Sequence, residues 1–323
     1  MSIRVLKPGL LSTIQDGGRR GHAAFGVGHA GAMDDVALRL ANVLAGNPPD
    51  AAALEFGLLG PVLQFESAAT VALCGAAVDA RLDGNAAASW RALRVEAGST
   101  LDCSRIPRGA YACLAFAGGV RVPDVLGSMA SDVNAGLGPH PLRSGDRIEL
   151  GVAHAQVDTP RRSRNELAWT LDPRPWFDPD PERPIRVVRG SHLDALDGPS
   201  RAALFEQAFH VSAESNRVGL RLDGPRLALA APLELASEPV ARGMLQLPPG
   251  GQPIALMAEH PTTGGYPRIA QVAAIDLPRL AQRPPGAAVR FEEIGIDEAQ
   301  TRYLEREREL ARLCETINMR LAR

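Results

Sequence analysis

Glycine and proline recur so often in this chain that long regular elements are excluded over most of its length. The 323 residues include 32 glycines and 26 prolines, and short apolar runs such as 71–78 and 111–117 lie between them. Runs of this kind, bounded by turn residues, are typical of β-strands. Asp83-Gly84 and Asp223-Gly224 each follow such a run and predict two-residue hairpin turns. The sequence therefore predicts a mainly β protein with few helices.

Three segments predict helices. The first has an apolar stripe that ends at Gly46, the second covers 200–209, and the third begins with Asp297 as its N-cap and Gln300 at the capping-box position. The first stripe consists of Met33, Val36, Ala37, Leu40, Ala41 and Leu44, and the third of Leu310, Leu313, Cys314, Ile317 and Leu321. The third stripe packs either against its own domain or against another subunit, and the sequence leaves both open.

One proline- and charge-rich stretch, 152–184, breaks the β pattern and predicts a linker. It separates an N-terminal β-rich domain, 1–151, from a second β-rich domain, 185–294. A C-terminal helix, 295–323, follows. We therefore predict two β-rich domains with few helices.

Charge and hydropathy exclude several classes of protein. The net charge is −2, with 35 basic and 37 acidic residues, which gives no electrostatic footprint for nucleic acid. No apolar run reaches the ~18 residues of a membrane span. The first residues lack the apolar core of a signal peptide, so we expect a cytoplasmic protein that binds neither nucleic acid nor a membrane.

Cysteine, histidine and lysine narrow the chemistry further. The four cysteines form no C-x-x-C pair and read as buried free thiols in a reduced compartment, and the seven histidines have no metal-ligand spacing, so we expect no metal. Lys7 is the only lysine. Neither a lysine-dependent phosphate loop nor an internal biotin-carrying lysine is therefore possible, and ATP or biotin chemistry would need another chain.

Residues 26–31 match the G-x-G-x-x-G pattern of dinucleotide-binding loops. The polar, glycine-rich stretch before them is not a buried strand, so we interpret the match as accidental. A glycine loop that leads into a helix can still hold an anion or a carboxylate.

The polar loop at 259–270 follows an apolar strand and is the strongest site candidate. It carries two hydroxyls, two adjacent glycines, a phenol and a guanidinium, and glycine allows a backbone to approach a ligand closely. The alternative is a rigid surface turn. Glu238, earlier in the chain, is either a base or a strand-edge carboxylate.

A second polar segment lies near the N-terminus. Arg19 is either a carboxylate or carbonyl clamp, because guanidinium presents a planar fork of donors, or a partner of Asp16 that fixes the loop. Asp34 reads as a helix cap. Arg217 is either a second clamp or a turn residue.

Taken in order, these segments resemble the biotin-dependent carboxyltransferase-domain family, also called allophanate hydrolase subunit 2 or KipA-like, which includes the C subunit of 5-oxoprolinase. The resemblance covers about residues 5–291. Its motifs are T-x-Q-D-x-G-R-x-G at 13–21, G-A-M-D at 31–34, N-x-L-x-G-N at 42–47, A-G-G at 117–119, L-G-S at 126–128, S-[DN]-R-x-G at 215–219, Q-x-P-P-x-G-x-P-I at 246–254 and T-T-G-G-Y-P at 262–267.

The chain departs from the family pattern at three places. Pro261 stands where the family usually has glutamine, Met129-Ala130 replaces the middle of S-R-S-T-D, and a later G-G-x-G-R is eroded at 136–141. These changes affect the expected substrate more than the expected fold.

The resemblance implies cyclophilin-like β-barrel domains and work within a complex that contains an A subunit together with a KipI-like B subunit. It implies ATP-dependent opening of 5-oxoproline to glutamate, with ATP acting at the level of the complex. One alternative is the carboxyltransferase component of a biotin-dependent urea or amide carboxylase, with biotin supplied by another chain. A second is a non-enzymatic KipA-like regulator that binds a KipI-like partner.

For a small amide or carboxylate substrate, the residue chemistry and this family placement suggest specific roles. Arg19, Arg217 or Arg268 would hold the carboxylate, and Asp16 or Glu238 would move a proton. Hydroxyls of Thr262, Thr263 and Tyr266 would donate hydrogen bonds to an oxygen where charge develops. The predicted catalytic residues are Asp16, Arg19, Glu238, Thr263 and Tyr266, and the predicted substrate-binding residues are Gln15, Arg217, Thr262, Gly264, Gly265 and Arg268.

Overall fold

The computed structural model describes residues 1–152, 161–163, 166–167, 169–178, 180 and 182–322. Within this part of the chain the fold is mainly β with four α-helices, which confirms the predicted fold class. Much of the predicted linker at 152–184 lies outside the described residues.

Two compact units divide the chain. Unit 1 contains Met1–Arg19, Asp34–Asp178 and Glu309–Arg323, and unit 2 contains Arg20–Met33 and Pro179–Arg308. One crossing between the units, after Asp178, falls within the predicted linker at 152–184, and the predicted domain bounds stay a prediction. Arg20–Met33 lies in unit 2 although its neighbours in sequence lie in unit 1.

Unit 1 is built on two antiparallel sheets. The first sheet has six strands in the order β11-β1-β4-β9-β6-β7, and the second has seven in the order β12-β13-β8-β5-β10-β3-β2. The strands are β1 (Ser2–Lys7), β2 (Leu11–Gln15), β3 (Ala53–Gly57), β4 (Val62–Phe65), β5 (Ala69–Ala77), β6 (Arg81–Leu82), β7 (Asn85–Ala86), β8 (Ala92–Val95), β9 (Thr100–Asp102), β10 (Arg108–Phe116), β11 (Arg147–Glu149), β12 (Arg161–Ser163) and β13 (Glu166–Leu167). The last two lie inside the predicted linker, where β13 extends the sheet through β8.

Helix α1 (Asp35–Leu44) packs against β5 and β10. Asp34 is its N-cap, as predicted, and accepts a hydrogen bond from Ala37 N at 2.9 Å. The close approach depends on Gly75 in β5, whose φ is +100° and whose added β-carbon would lie 3.2 Å from Ala37 Cβ. Leu54, Leu63, Leu114 and Phe116 are among the fully buried side chains of this core.

The two hairpin predictions had different outcomes. Asp83 and Gly84 join β6 to β7 with φ values of +51° and +82°, the positive angles of a type I′ turn. The prediction at Asp223-Gly224 is wrong, because β16 (Gly219–Asp223) pairs with the preceding strand β15 (Phe209–Val211) and with β19 (Ile254–Leu256), and no partner strand begins directly after Gly224.

Unit 2 contains an eight-stranded sheet in the order β22-β15-β16-β19-β18-β21-β14-β23 and a separate pair, β17-β20. Only Arg290 separates the two end strands in sequence, so the large sheet is a nearly closed barrel. The strands are β14 (Ile185–Arg189), β15 (Phe209–Val211), β16 (Gly219–Asp223), β17 (Glu238–Pro239), β18 (Met244–Gln246), β19 (Ile254–Leu256), β20 (Thr263–Gly264), β21 (Arg268–Val272), β22 (Ala288–Val289) and β23 (Phe291–Glu293).

The remaining helices differ in detail from the prediction. Helix α2 (Gly198–Glu206) ends before Phe209, because that residue begins β15 and packs 6.0 Å from the Phe291 ring. A short helix, α3 (Leu277–Ala281), was not predicted. Three 3-10 turns cover Ala23–Phe25, Leu193–Ala195 and Ala274–Asp276.

The C-terminal helix α4 (Ile296–Leu321) begins one residue before Asp297, so Asp297 lies in the first turn rather than at the N-cap. Leu310, Cys314 and Ile317 of its stripe are buried within this chain, but this half of the helix belongs to unit 1 and not to unit 2, which contains the preceding barrel. In the described residues no helix has the length and hydropathy that a membrane span needs.

All four cysteines are free and buried, as predicted. Burial raises the pKa of the Cys103 thiol to about 12, and the charge of Asp102 adds to this effect. A thiol with so high a pKa is a poor nucleophile.

A buried ion cluster joins β14 to α3. Asp276 is fully buried and accepts hydrogen bonds from Arg186 Nη2 at 2.7 Å, Arg186 Nε at 2.8 Å and Arg279 Nη1 at 3.1 Å. Burial raises the pKa of Asp276, but the hydrogen bonds from Arg186 and the charge of Arg279 outweigh it, so its pKa lies below the ordinary value.

We predict that Asp276→Asn lowers the free energy of unfolding at pH 7 by about 3–5 kcal/mol, because it leaves buried guanidinium groups without their counter-charge. The folded pKa is below the unfolded value of about 3.9. The stabilisation is therefore present above that value and is lost as the pH falls through the folded pKa. Urea denaturation of both proteins from pH 7 to pH 3 measures this. A difference that stayed constant with pH would contradict the assignment.

Candidate functional site

The predicted site residues fall into two groups. Unit 1 contains Gln15, Asp16 and Arg19. Unit 2 contains the others, which are Arg217, Glu238, Thr262, Thr263, Gly264, Gly265, Tyr266 and Arg268.

In unit 1, Asp16 and Arg19 hold one loop through separate contacts. Asp16 accepts hydrogen bonds from Gly18 N at 2.8 Å, Ser128 Oγ at 2.7 Å and Met129 N at 2.6 Å. Arg19 is almost fully buried and donates from Nε to Val125 O at 3.0 Å and from Nη2 to Ala130 O. Asp16 and Arg19 therefore both fix the loop, as the second of the two alternatives for Arg19 required. They do so through separate partners, because no hydrogen bond or ion pair joins Asp16 to Arg19 in the part of the chain that the structure describes.

These contacts explain why Met129 and Ala130 are compatible with the loop. Both residues bind through backbone atoms, so their side chains can differ from the family pattern without loss of these bonds. Gln15 lies beside them and donates from Nε2 to Thr13 Oγ1 at 2.9 Å and to Ser131 O at 3.0 Å. This group is buried and supports the loop.

In unit 2, Arg217 is buried rather than exposed in a turn. Its Nε donates to Glu259 Oε1 at 2.5 Å and its Nη2 to Gly31 O at 2.6 Å, while its own carbonyl accepts from Glu259 N at 2.8 Å. Arg242 binds the next two carbonyls, those of Ala32 at 3.1 Å and Met33 at 2.5 Å. Two arginines thus anchor the end of the Arg20–Met33 segment, and Arg217 also fixes Glu259, where the predicted loop begins.

Glu238 lies directly beside that loop. In the β17-β20 pair, Glu238 is opposite Gly264 and Pro239 is opposite Thr263, and Val240 N donates to Thr262 O at 3.1 Å. Glu238 Oε2 forms an ion pair with Arg268 Nη2. The structure therefore brings together the predicted residues Glu238, Gly264 and Arg268.

A residue that the prediction did not include completes this arrangement. Gln246 in β18 is opposite Arg268 in β21, and its Nε2 lies 2.6 Å from where a β-carbon on Gly264 would be. We call Glu238, Gln246, Gly264 and Arg268 the loop-base cluster. Its members adjoin one another in a closed ring.

His192 binds the cluster from behind. Arg268 N donates to His192 Nδ1 at 3.2 Å, and His192 N donates to Arg268 O at 3.0 Å. Nδ1 must be unprotonated to accept this bond, so the neutral ring carries its proton on Nε2. Burial lowers the pKa of His192, the charge of Arg268 lowers it further, and Glu238 acts in the opposite direction.

A cleft of about 680 Å³ lies beside the loop in unit 2. Gly265, Tyr266 and Pro267 form one part of its lining, and the segments 247–249 and 226–233 form the rest. The volume falls within the ~300–1,000 Å³ of small-molecule sites. The lining is mostly apolar, with the Tyr266 phenol and the Arg226 guanidinium as its polar groups, and Arg226 has no ion pair among the described residues.

Sequence reasoning missed Gln246, His192 and Arg226. Gln246 opens the Q-x-P-P pattern, so its position was visible, but its contact with Gly264 depends on the pairing of β18 with β21. No sequence signal distinguishes His192 or Arg226. In the described residues no cluster of histidine, cysteine, aspartate or glutamate is arranged to hold a metal ion.

Comparison with known proteins identifies the family of this chain. Residues 25–293 match the model of the carboxyltransferase domain, subdomain A and B. The chain belongs to this carboxyltransferase-domain family. It is 37% identical over 313 residues to the 5-oxoprolinase C subunit of Escherichia coli (strain K12), covering 94% of this chain and 96% of that protein.

Two solved structures are similar to this chain over 90% of its length or more. The urea carboxylase of Kluyveromyces lactis superposes with a TM-score of 0.86 at 25% identity, covering 96% of this chain and 29% of that one. TTHA0988 superposes with a TM-score of 0.77 at 32% identity, covering 90% of this chain and 55% of that one. This chain therefore spans about half of the second structure and less than a third of the first.

We predict that Arg217→Met lowers the free energy of unfolding by about 3–5 kcal/mol, because the buried carboxylate of Glu259 loses its ion pair with Arg217. Adding Glu259→Gln recovers part of this loss, since the double variant has no uncompensated charge. Urea denaturation of the two single variants and the double variant measures the coupling.

The matched control is Arg302→Met, which removes a half-exposed ion pair with Glu298 on α4. We expect little change in stability, because solvent screens such pairs. Equal effects of Arg217→Met and Arg302→Met, or strict additivity with Glu259→Gln, would contradict the role assigned to Arg217.

Proposed function

We propose that this chain is the C subunit of an ATP-dependent 5-oxoprolinase, which opens 5-oxoproline to glutamate together with its A and KipI-like B subunits. The observation that carries the proposal is the 37% identity to a 5-oxoprolinase C subunit over nearly the full length of both chains. We expect the chain to be inactive alone. ATP acts at the level of the complex, in the cytoplasm, where ATP is available.

The cleft and the loop-base cluster supply the groups that such a substrate needs. Tyr266 is exposed and lines the cleft, and Thr263 is exposed on β20, so we assign their hydroxyls as donors to substrate oxygens. Glu238 has a half-exposed carboxylate and is the better placed of the two proposed proton carriers, because Asp16 is bound on both oxygens.

The three candidate carboxylate clamps are unequal. Arg19 and Arg217 are almost fully buried and bound to backbone carbonyls, so we assign them to positioning the loops. Arg268 is next to the loop but is paired with Glu238. Arg226, which lies in the cleft without an ion pair among the described residues, is the group best placed to hold a carboxylate.

A second candidate function is the carboxyltransferase component of a biotin-dependent urea or amide carboxylase. The TM-score of 0.86 with a urea carboxylase favours it. It requires a biotin carrier outside residues 1–323, because Lys7, in β1, is the only lysine among them. A KipA-like regulator that binds a KipI-like partner without turnover is the non-enzymatic alternative.

The test is ATP-dependent formation of glutamate from 5-oxoproline by this chain mixed with the A and B subunits, with each subunit omitted in turn. We expect turnover from the complete mixture and none when this chain is left out. Associated, folded subunits that give no turnover would contradict the proposal. Carboxylation of urea after addition of a biotin carrier would then support the second candidate, and tight binding to the isolated B subunit would support the regulator.

We predict that Tyr266→Phe lowers kcat/KM of the complex for 5-oxoproline by about 10- to 100-fold, the cost of one hydrogen bond to a charged oxygen. The control is Tyr303→Phe, which removes a phenol hydroxyl from α4 and should leave kcat/KM unchanged. Steady-state kinetics of both variants measure the difference. If kcat/KM of Tyr266→Phe equals that of the unaltered complex, the Tyr266 hydroxyl does not bind the substrate.

A further inference from the structure

We propose that Gln246 Nε2 and Arg268 Nε together bind the carbonyl oxygen of the substrate amide, beneath the backbone of Gly264. This inference rests on the proposed function and names the group that recognises the amide, as distinct from the carboxylate.

Both atoms are hydrogen-bond donors that the protein leaves unused. Each is buried, and neither has a partner among the described residues. Gln246 as a whole is 5% exposed. A buried donor without a partner is destabilising, so two of them on directly opposite residues indicate that an acceptor belongs there.

The strand pairing places the two donors together. Leu245 is opposite Ala270, but Gln246 is opposite Arg268, so the ladder contains a bulge at Ile269. The bulge brings the arginine rather than the apolar Ile269 opposite the glutamine. Residues directly opposite in antiparallel strands have β-carbons about 4.5–5.5 Å apart, which lets one oxygen contact both side chains.

A second glutamine in the same barrel shows what a satisfied amide looks like. Gln271 Nε2 lies 2.6 Å from where a β-carbon on Gly243 would be, as Gln246 Nε2 does with Gly264. Gln271 Nε2, however, donates to Arg242 O at 2.9 Å and Val272 O at 3.1 Å. The unused donor of Gln246 is therefore not a general consequence of glutamine packing against glycine in this fold.

Charge decides to which oxygen of the substrate the two N–H groups donate. Arg268 is already neutralised by Glu238, and a second carboxylate would be repelled by the first. A neutral amide carbonyl meets no such repulsion. When the amide is attacked, negative charge grows on the same oxygen, and the guanidinium then stabilises it more strongly.

Access requires a small movement. Gly264 belongs to the two-residue ladder β17-β20, and a ladder this short opens at little cost. A side chain at position 264 would push against the Gln246 amide, so glycine keeps the space beside the donor free.

The test uses the assembled complex of this chain with the A and B subunits and measures binding by isothermal titration calorimetry. The probes are 5-oxoproline, 2-pyrrolidinone, which has the ring amide without the carboxylate, and cyclopentanecarboxylate, which has the carboxylate without the amide. Gln246→Met keeps the length of the side chain and removes the donor. We expect it to weaken the binding of 5-oxoproline and 2-pyrrolidinone about tenfold or more and to leave the binding of cyclopentanecarboxylate unchanged.

Gln271→Met is the matched control. It loses two hydrogen bonds and should lower the Tm while leaving binding unchanged, whereas Gln246→Met should leave the Tm unchanged or raise it. Gly264→Ala should weaken the same two probes as Gln246→Met, because its β-carbon displaces the amide.

Three outcomes would overturn the inference. Wild-type binding with a lowered Tm in Gln246→Met would mean that the donors hold an internal water. Weaker binding of cyclopentanecarboxylate alone would assign them to the carboxylate. Unchanged binding of every probe with an unchanged Tm would show that the Gln246 donor has no role in binding or in stability. Failure of the proposed function is a separate result. If the complex has no ATP-dependent turnover but Gln246→Met still weakens its binding of 2-pyrrolidinone, the proposed function is wrong and the binding site for the amide oxygen stands.

Discussion

The buried ion pair between Arg217 and Glu259 is the interaction on which much of unit 2 depends. It neutralises two charges that are almost entirely removed from solvent, and the same guanidinium binds the carbonyl of Gly31. One side chain therefore fixes both Glu259, at the start of the polar loop at 259–270, and the end of Arg20–Met33, a segment whose sequence neighbours belong to unit 1. A buried charge tolerates no loss of its partner, so this geometry is strongly constrained.

The polar loop at 259–270 is held by several contacts, yet two buried donors beside it, Gln246 Nε2 and Arg268 Nε, have no hydrogen-bond partner among the described residues. Glu238, Gln246 and Arg268 surround Gly264, and His192 holds the backbone of Arg268 from the other side. Asp16 in unit 1 differs, because both of its carboxylate oxygens accept hydrogen bonds that hold a loop. Functional sites differ from structural clusters in this respect, because they keep donors available for a ligand at a cost in stability.

Arginine carries most of the polar structure of this chain. Arg19, Arg217 and Arg242 each bind backbone carbonyls, and Arg186 holds Asp276 with two parallel hydrogen bonds. A planar guanidinium with five donors can satisfy several acceptors at once, which a lysine ammonium does less well. An arginine in a polar motif is therefore weak grounds by itself for a ligand clamp, and only its burial and partners decide between the two roles.

The sequence by itself determined the features that depend on neighbouring residues. Asp83-Gly84 adopts the positive φ angles that only a few residue types tolerate, Asp34 caps the helix that begins at the next residue, and the ordered motifs identify the family. Tertiary structure decided the features that join distant residues. The assignment of Arg20–Met33 to unit 2, the burial of Arg19 and the contact of Gln246 with Gly264 all arise from such pairings. Local patterns carry no record of them, because a side chain's partner is set by strand register and packing rather than by spacing along the chain.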